Sequence, residues 1–489
     1  MPAHAVNKIN MAELNHNYRG RMIISELEDA VGIQNVRLLD VDKLPHSVDY
    51  YWIPRMWVDR GKKPVYPDCV VYPETTEQVS KVMRIASHYR IPVTPWGGGS
   101  GSQGGALPVE GGIVVDLKRM NKVLELNTKA NTITAQAGII QQHLEWEIND
   151  KGYSTMHLPA SIGCATLGGY LAHRGTGVLS TKYGKIEDMI VSMEVVLPNG
   201  DIINTLPVPR NAAGPDLNQF FVGAEGTLGI ITTATVKVFE HPECRMFNAF
   251  LFKNMHDSLE AGRLIMNARL QPTVIRMYDE PETIHQIERV FGTKLEKGSF
   301  LVFGFDGEKE IVDYQMKKAV EICEATAIQN LGSKFGEQWW KNKYKFYFPP
   351  YCLDLPQAYG TMDTVATYDK IENIYWKMKT TCEQFPGTRF IAHFSHWYDW
   401  GCMMYDRFIV DPAFVPEDPD EAIRLYQQIW TECIRVCLDN GGVINEHHGV
   451  GLKLGYMMQE QYGPAFQVLS ALKKALDPYN IMNPGKMGF

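Results

Sequence analysis

Two short segments concentrate the side chains that could move a proton. Asn445-Glu-His-His-Gly-Val-Gly451 sets His447 and His448 side by side behind Glu446, and Ala392-His-Phe-Ser-His396 adds His393 and His396. Imidazole titrates near neutral pH, so it can take a substrate proton and return it. On a strand, adjacent histidines would face opposite ways; in a loop both could reach one pocket. His393, His396, Glu446 and His447 are also ligand types for a divalent metal. Tyr405 is a further acid–base candidate, although an unshifted phenol with a pKa of about 10 needs an anion-stabilising neighbour. Arg276, set among apolar residues in the run "TVIRMYD", would bind a substrate carboxylate or phenolate, or pair with Asp279 or Glu280 as plain structure. Trp339, Trp340, Trp397 and Trp400 fit either a core or an aromatic-lined pocket, the latter favouring a phenolic or bulky substrate.

A second kind of chemistry lies in three glycine clusters. "PWGGGSGSQGG" runs from Pro95 to Gly105, "PASIGCATLGG" from Pro159 to Gly169, and "GAEGTLG" from Gly223 to Gly229. A glycine-rich turn after a strand exposes backbone N–H groups and admits a phosphate where a Cβ would block it. The first cluster is no Walker motif, because no Gly-Lys-Ser/Thr follows, and it does not open a helix as a dinucleotide fingerprint would. A surface linker would not need to follow one strand and precede an apolar one. Three clusters in one half of the chain suggest a single extended phosphate-bearing ligand.

Those segments need elements to hold them. At 489 residues the chain exceeds one simple core, so two or three domains are expected. A net charge of -8 without a long basic run argues against a nucleic-acid partner. No apolar run reaches the roughly 20 residues of a membrane span, and the N-terminus lacks a secretory core, so a cytoplasmic location, or one peripheral to a membrane, is expected. Nine cysteines without a CxxC pair argue against an iron–sulfur cluster, a zinc knuckle or a disulfide scaffold. Residues 1–60 read as a polar, helical lead-in. Strands follow at 69–72, 91–94, 112–117, 132–137, 191–197 and 230–239. A helix over 76–89 carries Val79, Val82, Met83, Ala86 and Tyr89 on one face. Pro198-Asn-Gly200 signals a hairpin. Beyond His241, strands at 245–252 and 300–306 alternate with helices near 255–270, 280–291 and 308–328, which fits an antiparallel α+β domain. The aromatic stretch 335–360 reads as loop or irregular helix. Helices close the chain at about 417–439 and 466–476.

The chain resembles the FAD-binding flavoproteins of the vanillyl-alcohol oxidase and p-cresol methylhydroxylase type. "YPDCVVYPETTEQVSKVMRIASHYRIPVTPWGGGS", "GGIVVDLKRMNKVLELN", "GAEGTLGIIT" and "LDPYNIMNPGK" carry the resemblance. It implies an α+β fold: a two-subdomain FAD-binding domain of the p-cresol methylhydroxylase type with an antiparallel-sheet cap of the FAD-linked oxidase C-terminal type. The implied division is a lead-in at 1–60, the FAD-binding domain at 61–240, the cap at 241–440, and a segment at 441–489 returning to the FAD-binding domain. Gly97, Gly98, Gly99, Ser100 and Gly101, with Pro95 before them and Ser102, Gln103 and Gly104 after, would receive the FAD pyrophosphate. Pro159, Ala160, Ser161, Thr166, Gly168, Gly169 and His173 would line the cofactor. Glu225, Gly226, Gly229, Ile230 and Asn483 would complete its site. The glycine loop offers no histidine for covalent attachment, so non-covalent FAD is expected.

Within that superfamily, "HRGTGVLSTKYGKIEDMIVSMEVVLPNG" and "GGVINEHHGVGLKLG" resemble the branch of D-2-hydroxyacid dehydrogenases and alkyldihydroxyacetonephosphate synthase. The dehydrogenases pair an HxGDxNxH segment with GEHG around a metal. Here Trp397-Tyr-Asp-Trp-Gly-Cys402 and Glu446-His-His448 stand in those places, so the metal pattern is broken and none is expected. The synthase has three histidines before Gly-Val-Gly; here the first is Glu446. Its YDAG matches Tyr398-Asp-Trp-Gly401, with Tyr405 and Arg407 beyond, and its cap arginine corresponds to Arg276. Its second phosphate-binding arginine would fall near Pro349 to Tyr351, where this chain has none; Lys341, Lys343 and Lys345 lie upstream. The resemblance therefore implies an FAD-dependent oxidoreductase, dehydrogenase or oxidase. It would take a hydride from an alcohol, 2-hydroxy acid or phenolic substrate to flavin N5, with His447 as base beside His448, Tyr405, Arg276 and His396. The electron acceptor is left open and a homodimer is implied. A synthase-like flavin-dependent transferase is the alternative.

Overall fold

The computed structural model describes residues 18–345 and 358–489, and three layers of that chain build the site. In the first, Cys69–Val71, Ile113–Asp116 and Val93–Trp96 pair in parallel, with Val36–Arg37 added antiparallel at the edge. Cys69–Val71 and the Ile113 to Val115 run are apolar and buried throughout because both faces are covered. The crossover helix Thr76–Tyr89 begins where the Thr75 hydroxyl accepts the Gln78 N–H, and ends where Arg90 turns left-handed. Its expected apolar face is the buried one. Helix Tyr18–Val31 packs on it through Ile23 and Leu27.

In the second layer, Val123–Asn127, Thr132–Gln136, Ile230–Lys237, Ile190–Val196 and Ile202–Asn204 form an antiparallel sheet in that spatial order. The first glycine cluster follows Val93–Trp96, the third leads into Ile230–Lys237, and residues of all three line one cleft.

The third layer is an antiparallel sheet of seven strands among the described residues. Their spatial order is Gln329–Asn330, Cys244–Phe252, Ser299–Gly307, Val274–Tyr278, Thr388–Tyr398, Gly401–Val410 and Ala358–Thr367. Helices Met255–Asn267, Lys309–Glu324, Tyr368–Cys382 and Pro419–Asp439 pack on this sheet and on one another. The register sets Asp363 and His393 on either side of Tyr405. Side chains alternate along a strand, so all three share one face. The stretch read as loop or irregular helix at 335–360 is a regular helix over Gly332–Asn342 and a strand from Ala358; its middle lies outside the described residues.

The lead-in is woven into both parts: Val36–Arg37 joins the parallel sheet, while Tyr51, Trp52, Ile53 and Met56 enter the cap core. The tail returns as expected, the Val93 N–H donating to Ile481 and the Asn483 N–H to Val93. A buried carboxylate fastens the loop before the tail: Glu225 accepts the N–H groups of Val450 at 2.6 Å and Gly451 at 2.9 Å. Burial raises the Glu225 pKa from 4.5 to about 7, although those N–H groups oppose the rise. The folded chain then keeps a proton that the unfolded chain has released, so this contribution to stability is lost as pH rises from 4.5 through about 7. Denaturant unfolding should show wild type losing roughly 3 kcal/mol relative to Glu225→Gln across that interval. Parallel pH profiles for the two proteins would contradict this.

Candidate active site

Two clefts meet at the glycine loop. The first, with an empty volume of about 970 Å³, is elongated and runs along Pro95–Gly101, Thr166 to His173, and Glu225 to Ile231. The second, of about 1720 Å³, lies under the cap and shares Gly98, Gly99, Ser100, Gly101, Tyr170, His173 and His448 with the first. Its far wall carries Arg276, His393, His396, Tyr405, Arg407, His447, His448 and Lys453.

Each element delivers these groups for a local reason. Thr388–Tyr398 has its register against Gly401–Val410 interrupted between Phe394 and Trp397. A bulge of this kind re-aims side chains, and His393, Ser395 and His396 all reach the cleft although strict alternation would separate the two histidines. His447 and His448 sit in a bend rather than a strand, with ring centroids 3.9 Å apart. The bend wraps around Asp363, which is fully buried. Its carboxylate accepts the Asn445 side-chain amide at 2.7 Å and the backbone N–H groups of Glu446 at 3.0 Å and His447 at 2.9 Å. It also meets His448 Nδ1 at 2.7 Å and His447 Nδ1 at 3.0 Å.

The charges follow from that packing. Burial would raise the Asp363 pKa, but the two histidines beside it hold it well below the ordinary value. Glu446 is likewise held low against the effect of burial, by Lys185 Nζ at 3.0 Å and by His396 Nδ1 at 3.3 Å. Burial disfavours the charged form of His447, yet Asp363 and Glu446 outweigh it and raise the pKa to about 9. His448 goes the other way: burial lowers its pKa, the neighbouring His447 adds to that, and Asp363 only partly offsets it. At neutral pH the pair is therefore one imidazolium and one imidazole. His396 and His393 are pushed down to about 4 by burial and stay neutral. His393 donates toward Glu282 at 3.2 Å, and Glu282 pairs with Arg407. Tyr405 stacks on His393 at 4.7 Å and lies 5.3 Å from His448.

The residues present fit FAD, and the glycines show how. The first cluster is small chiefly because its own chain comes close. A Cβ on Gly97 would lie 2.3 Å from the Thr166 hydroxyl, and one on Gly98 would lie 2.0 Å from the Cys164 carbonyl oxygen. The first and second clusters interlock, which builds the cleft wall from bare backbone. Within these two clusters, only at Gly101 and Gly163 would a Cβ meet nothing within 4 Å; Gly101 lines both clefts. Ser102 and the run Pro159–Ser161 line the second cleft, and Thr166, Gly168, Gly169, Gln103, Gly226, Gly229 and Ile230 line the first. Two expected contacts stand behind the wall. Gly104 packs near Tyr51, Leu452 and Leu107 with a φ of +74°, because the chain must turn left-handed there. Asn483 spends its side-chain N–H groups on the carbonyls of Gly105 and Glu225, tying the tail to two glycine clusters. His173 Nδ1–H donates to the His447 carbonyl, 3.0 Å away, so it also braces the histidine bend.

Two triads of metal-ligand type occur among the described residues, Asp363 with His447 and His448, and His396 with Glu446 and His447. Their carboxylates are already engaged: Asp363 by backbone N–H groups and both histidines, Glu446 by Lys185 and the Tyr398 hydroxyl. His393, the remaining residue of the expected ligand set, turns to Glu282 instead. Asp363, Glu282 and Lys453 were not foreseen. Asp363 stands in an ordinary strand run, "GTMDTV", and its partners lie 82 to 85 residues later.

The FAD binding domain family matches residues 67–206, and the family of FAD linked oxidases, C-terminal domain, matches residues 241–487. The chain belongs to the FAD-linked oxidases and is an FAD-dependent enzyme, with an FAD-binding domain of the p-cresol methylhydroxylase type. It is 32% identical to YgcU, an uncharacterised FAD-linked oxidoreductase of Escherichia coli K12, over 95% of this chain and 97% of that one. It is 29% identical to alkyldihydroxyacetonephosphate synthase of Trypanosoma brucei brucei, over 95% of this chain and 80% of that one. A solved alkyldihydroxyacetonephosphate synthase superposes with a TM-score of 0.79 at 28% identity, covering 95% of this chain and 85% of that one. p-Cresol methylhydroxylase with substrate bound shares the fold, with a TM-score of 0.79 at 19% identity over 96% of each chain.

The two kinds of glycine should separate experimentally. Gly98→Ala should cost the cofactor-free protein about 1–3 kcal/mol through overpacking. Gly101→Ala should leave that stability unchanged and weaken FAD binding by about tenfold or more, read by fluorescence titration. Unaltered FAD affinity in Gly101→Ala would place the cofactor elsewhere.

Proposed function

We propose that this chain oxidises an alcohol, 2-hydroxy acid or phenolic substrate by hydride removal, with His448 taking the hydroxyl proton. Bound FAD, held without a covalent link, supplies the hydride acceptor. The observation that carries this reading is an imidazole fixed through Nδ1 by a buried carboxylate, on a wall that also lines the cofactor cleft; burial and the neighbouring His447 lower its pKa and favour the neutral form. A base must be uncharged and in place before the proton leaves. Asp363 fixes the ring of His448 and leaves its other nitrogen for substrate, the same logic by which a third group orients a general base. We assign the base to His448 and not to His447 because two carboxylates keep His447 protonated. As a fixed cation, His447 favours the oxygen that loses its proton, and Arg276 adds a second positive charge on the same cleft. Tyr405, stacked on His393, is the phenol nearest His448 and serves as hydrogen-bond partner to that oxygen.

A second reading, a flavin-dependent transferase without net redox, draws on the synthase relative and on the cations Arg276, Arg407 and Lys453 in the cleft wall. The place expected for a second phosphate-binding arginine, Pro349 to Tyr351, lies outside the described residues.

Anaerobic mixing with a panel of alcohols and hydroxy acids should bleach the flavin and yield the matching carbonyl product. His448→Gln should slow that bleaching by roughly 10²–10⁴-fold at unchanged FAD content. Release of a fatty acid from acyl-dihydroxyacetone phosphate without bleaching would favour the transferase. Equal bleaching rates in wild type and His448→Gln would remove the base from His448.

A further inference from the structure

Lys453 lines the second cleft and takes no part in the proton and hydride steps above. It sits in the short helix Gly451–Leu454, directly after the histidine bend. The backbone N–H groups of Leu452 and Lys453 both donate to the Gln103 carbonyl, so the position of this side chain is tied to the glycine loop. The residue is 7% exposed, yet it lines the second cleft. Among the described residues no carboxylate stands at ion-pairing distance from its Nζ. The nitrogen donates to the Thr361 carbonyl at 3.1 Å and lies 3.4 Å from the centroid of the Trp430 ring. The Tyr426 ring, at 5.5 Å, adds a second aromatic face, and Trp52 stacks on Tyr426 at 4.8 Å. Burial drives the Lys453 pKa well below its ordinary value, with Asp363 and Asp406 opposing that only in part. A buried amine without its own anion is costly as a cation and becomes favourable when a ligand brings the missing charge.

We propose that Lys453 is a specificity-determining residue that receives the carboxylate of the substrate, and that the substrate is an organic monocarboxylate with an apolar or aromatic body. This rests on the cleft being the substrate site of the hydride-removal reading proposed above. An ammonium has three donors. Thr361 takes one and the Trp430 face occupies a second direction, which leaves one for the ligand. One charge and one donor match a carboxylate; a phosphate monoester, with close to two charges and three acceptor oxygens, would demand more. Trp52 and Tyr426 line the same cleft and offer flat apolar surface beside that donor, which suits the body of such an acid.

The test is calorimetric binding of 3-phenylpropionate and its neutral amide to the FAD-loaded protein. Wild type should bind the acid at least about tenfold more tightly than the amide, as expected for one charge-assisted contact. Lys453→Met, close in length and without the charge, should abolish that preference while amide binding stays the same. Arg276→Met should retain the preference. Should Lys453→Met fail to load FAD, reductive methylation of the wild-type protein, read by peptide mass spectrometry, gives the answer: the acid should protect Lys453 and the amide should not. Equal binding of acid and amide by wild type, a preference that survives Lys453→Met, a preference lost in Arg276→Met, or methylation of Lys453 unaffected by the acid would each overturn the proposal. None of these results depends on flavin bleaching, so failure of the hydride-removal reading would register separately.

Discussion

One buried carboxylate sets the geometry of the histidine-bearing cleft wall. Asp363 is removed from solvent on a strand of the cap, where an unpaired negative charge would be strongly unfavourable. The chain satisfies it with a bend from a distant part of the sequence. Two backbone N–H groups, an asparagine amide and two imidazoles converge on its two oxygens. The bend cannot relax without exposing that charge, so His447 and His448 are held at a defined place between the cap and the FAD-binding domain. The two histidines then differ because their surroundings differ. His447 lies between two carboxylates, whereas His448 has one and a cationic neighbour.

The cofactor side follows a different constraint, steric and not electrostatic. Glycine at 97 and 98 lets the first cluster press against the Cys164 to Thr166 backbone, and at 226 it lets a left-handed turn pass over Pro95. The clusters make room for each other first; the cleft is what remains between them. Glu225 and Asn483 lock this arrangement to the histidine bend and the tail. Cofactor cleft and histidine-bearing wall are thus joined by a small number of buried polar contacts.

Much of this was legible in the sequence where the signal is local. The crossover helix over 76–89, the strands around it and the glycine clusters each carry their pattern within a short window, and the resemblance gave the FAD-binding and cap domains. The candidate catalytic residues His447, His448, Tyr405, Arg276 and His396 do line one cleft. Less legible was what depends on contacts across the chain. The bulge that brings His396 round to the side of His393 leaves no composition signal, since "AHFSHW" reads equally well as an unbroken strand. Asp363 and Glu282 look like ordinary acidic residues until partners 82 to 85 and 125 residues away are in place. Lys453 follows the Gly-Val-Gly run as a single lysine, and only the fold shows that its Nζ turns to the Thr361 carbonyl and the Trp430 ring. Gly104 and Asn483, expected beside the cofactor, make contacts with the chain itself that the sequence does not announce.

Two carboxylates, Asp363 and Glu446, keep His447 charged, while burial and that neighbouring charge keep His448 neutral. Nitrogen-15 NMR of histidine-labelled, FAD-loaded protein at pH 7 reads this directly, with each resonance assigned by single substitution. An imidazolium signature is expected at His447, both ring nitrogens protonated, beside a neutral His448 protonated at Nδ1. Two neutral rings, or the charge residing on His448, would contradict it.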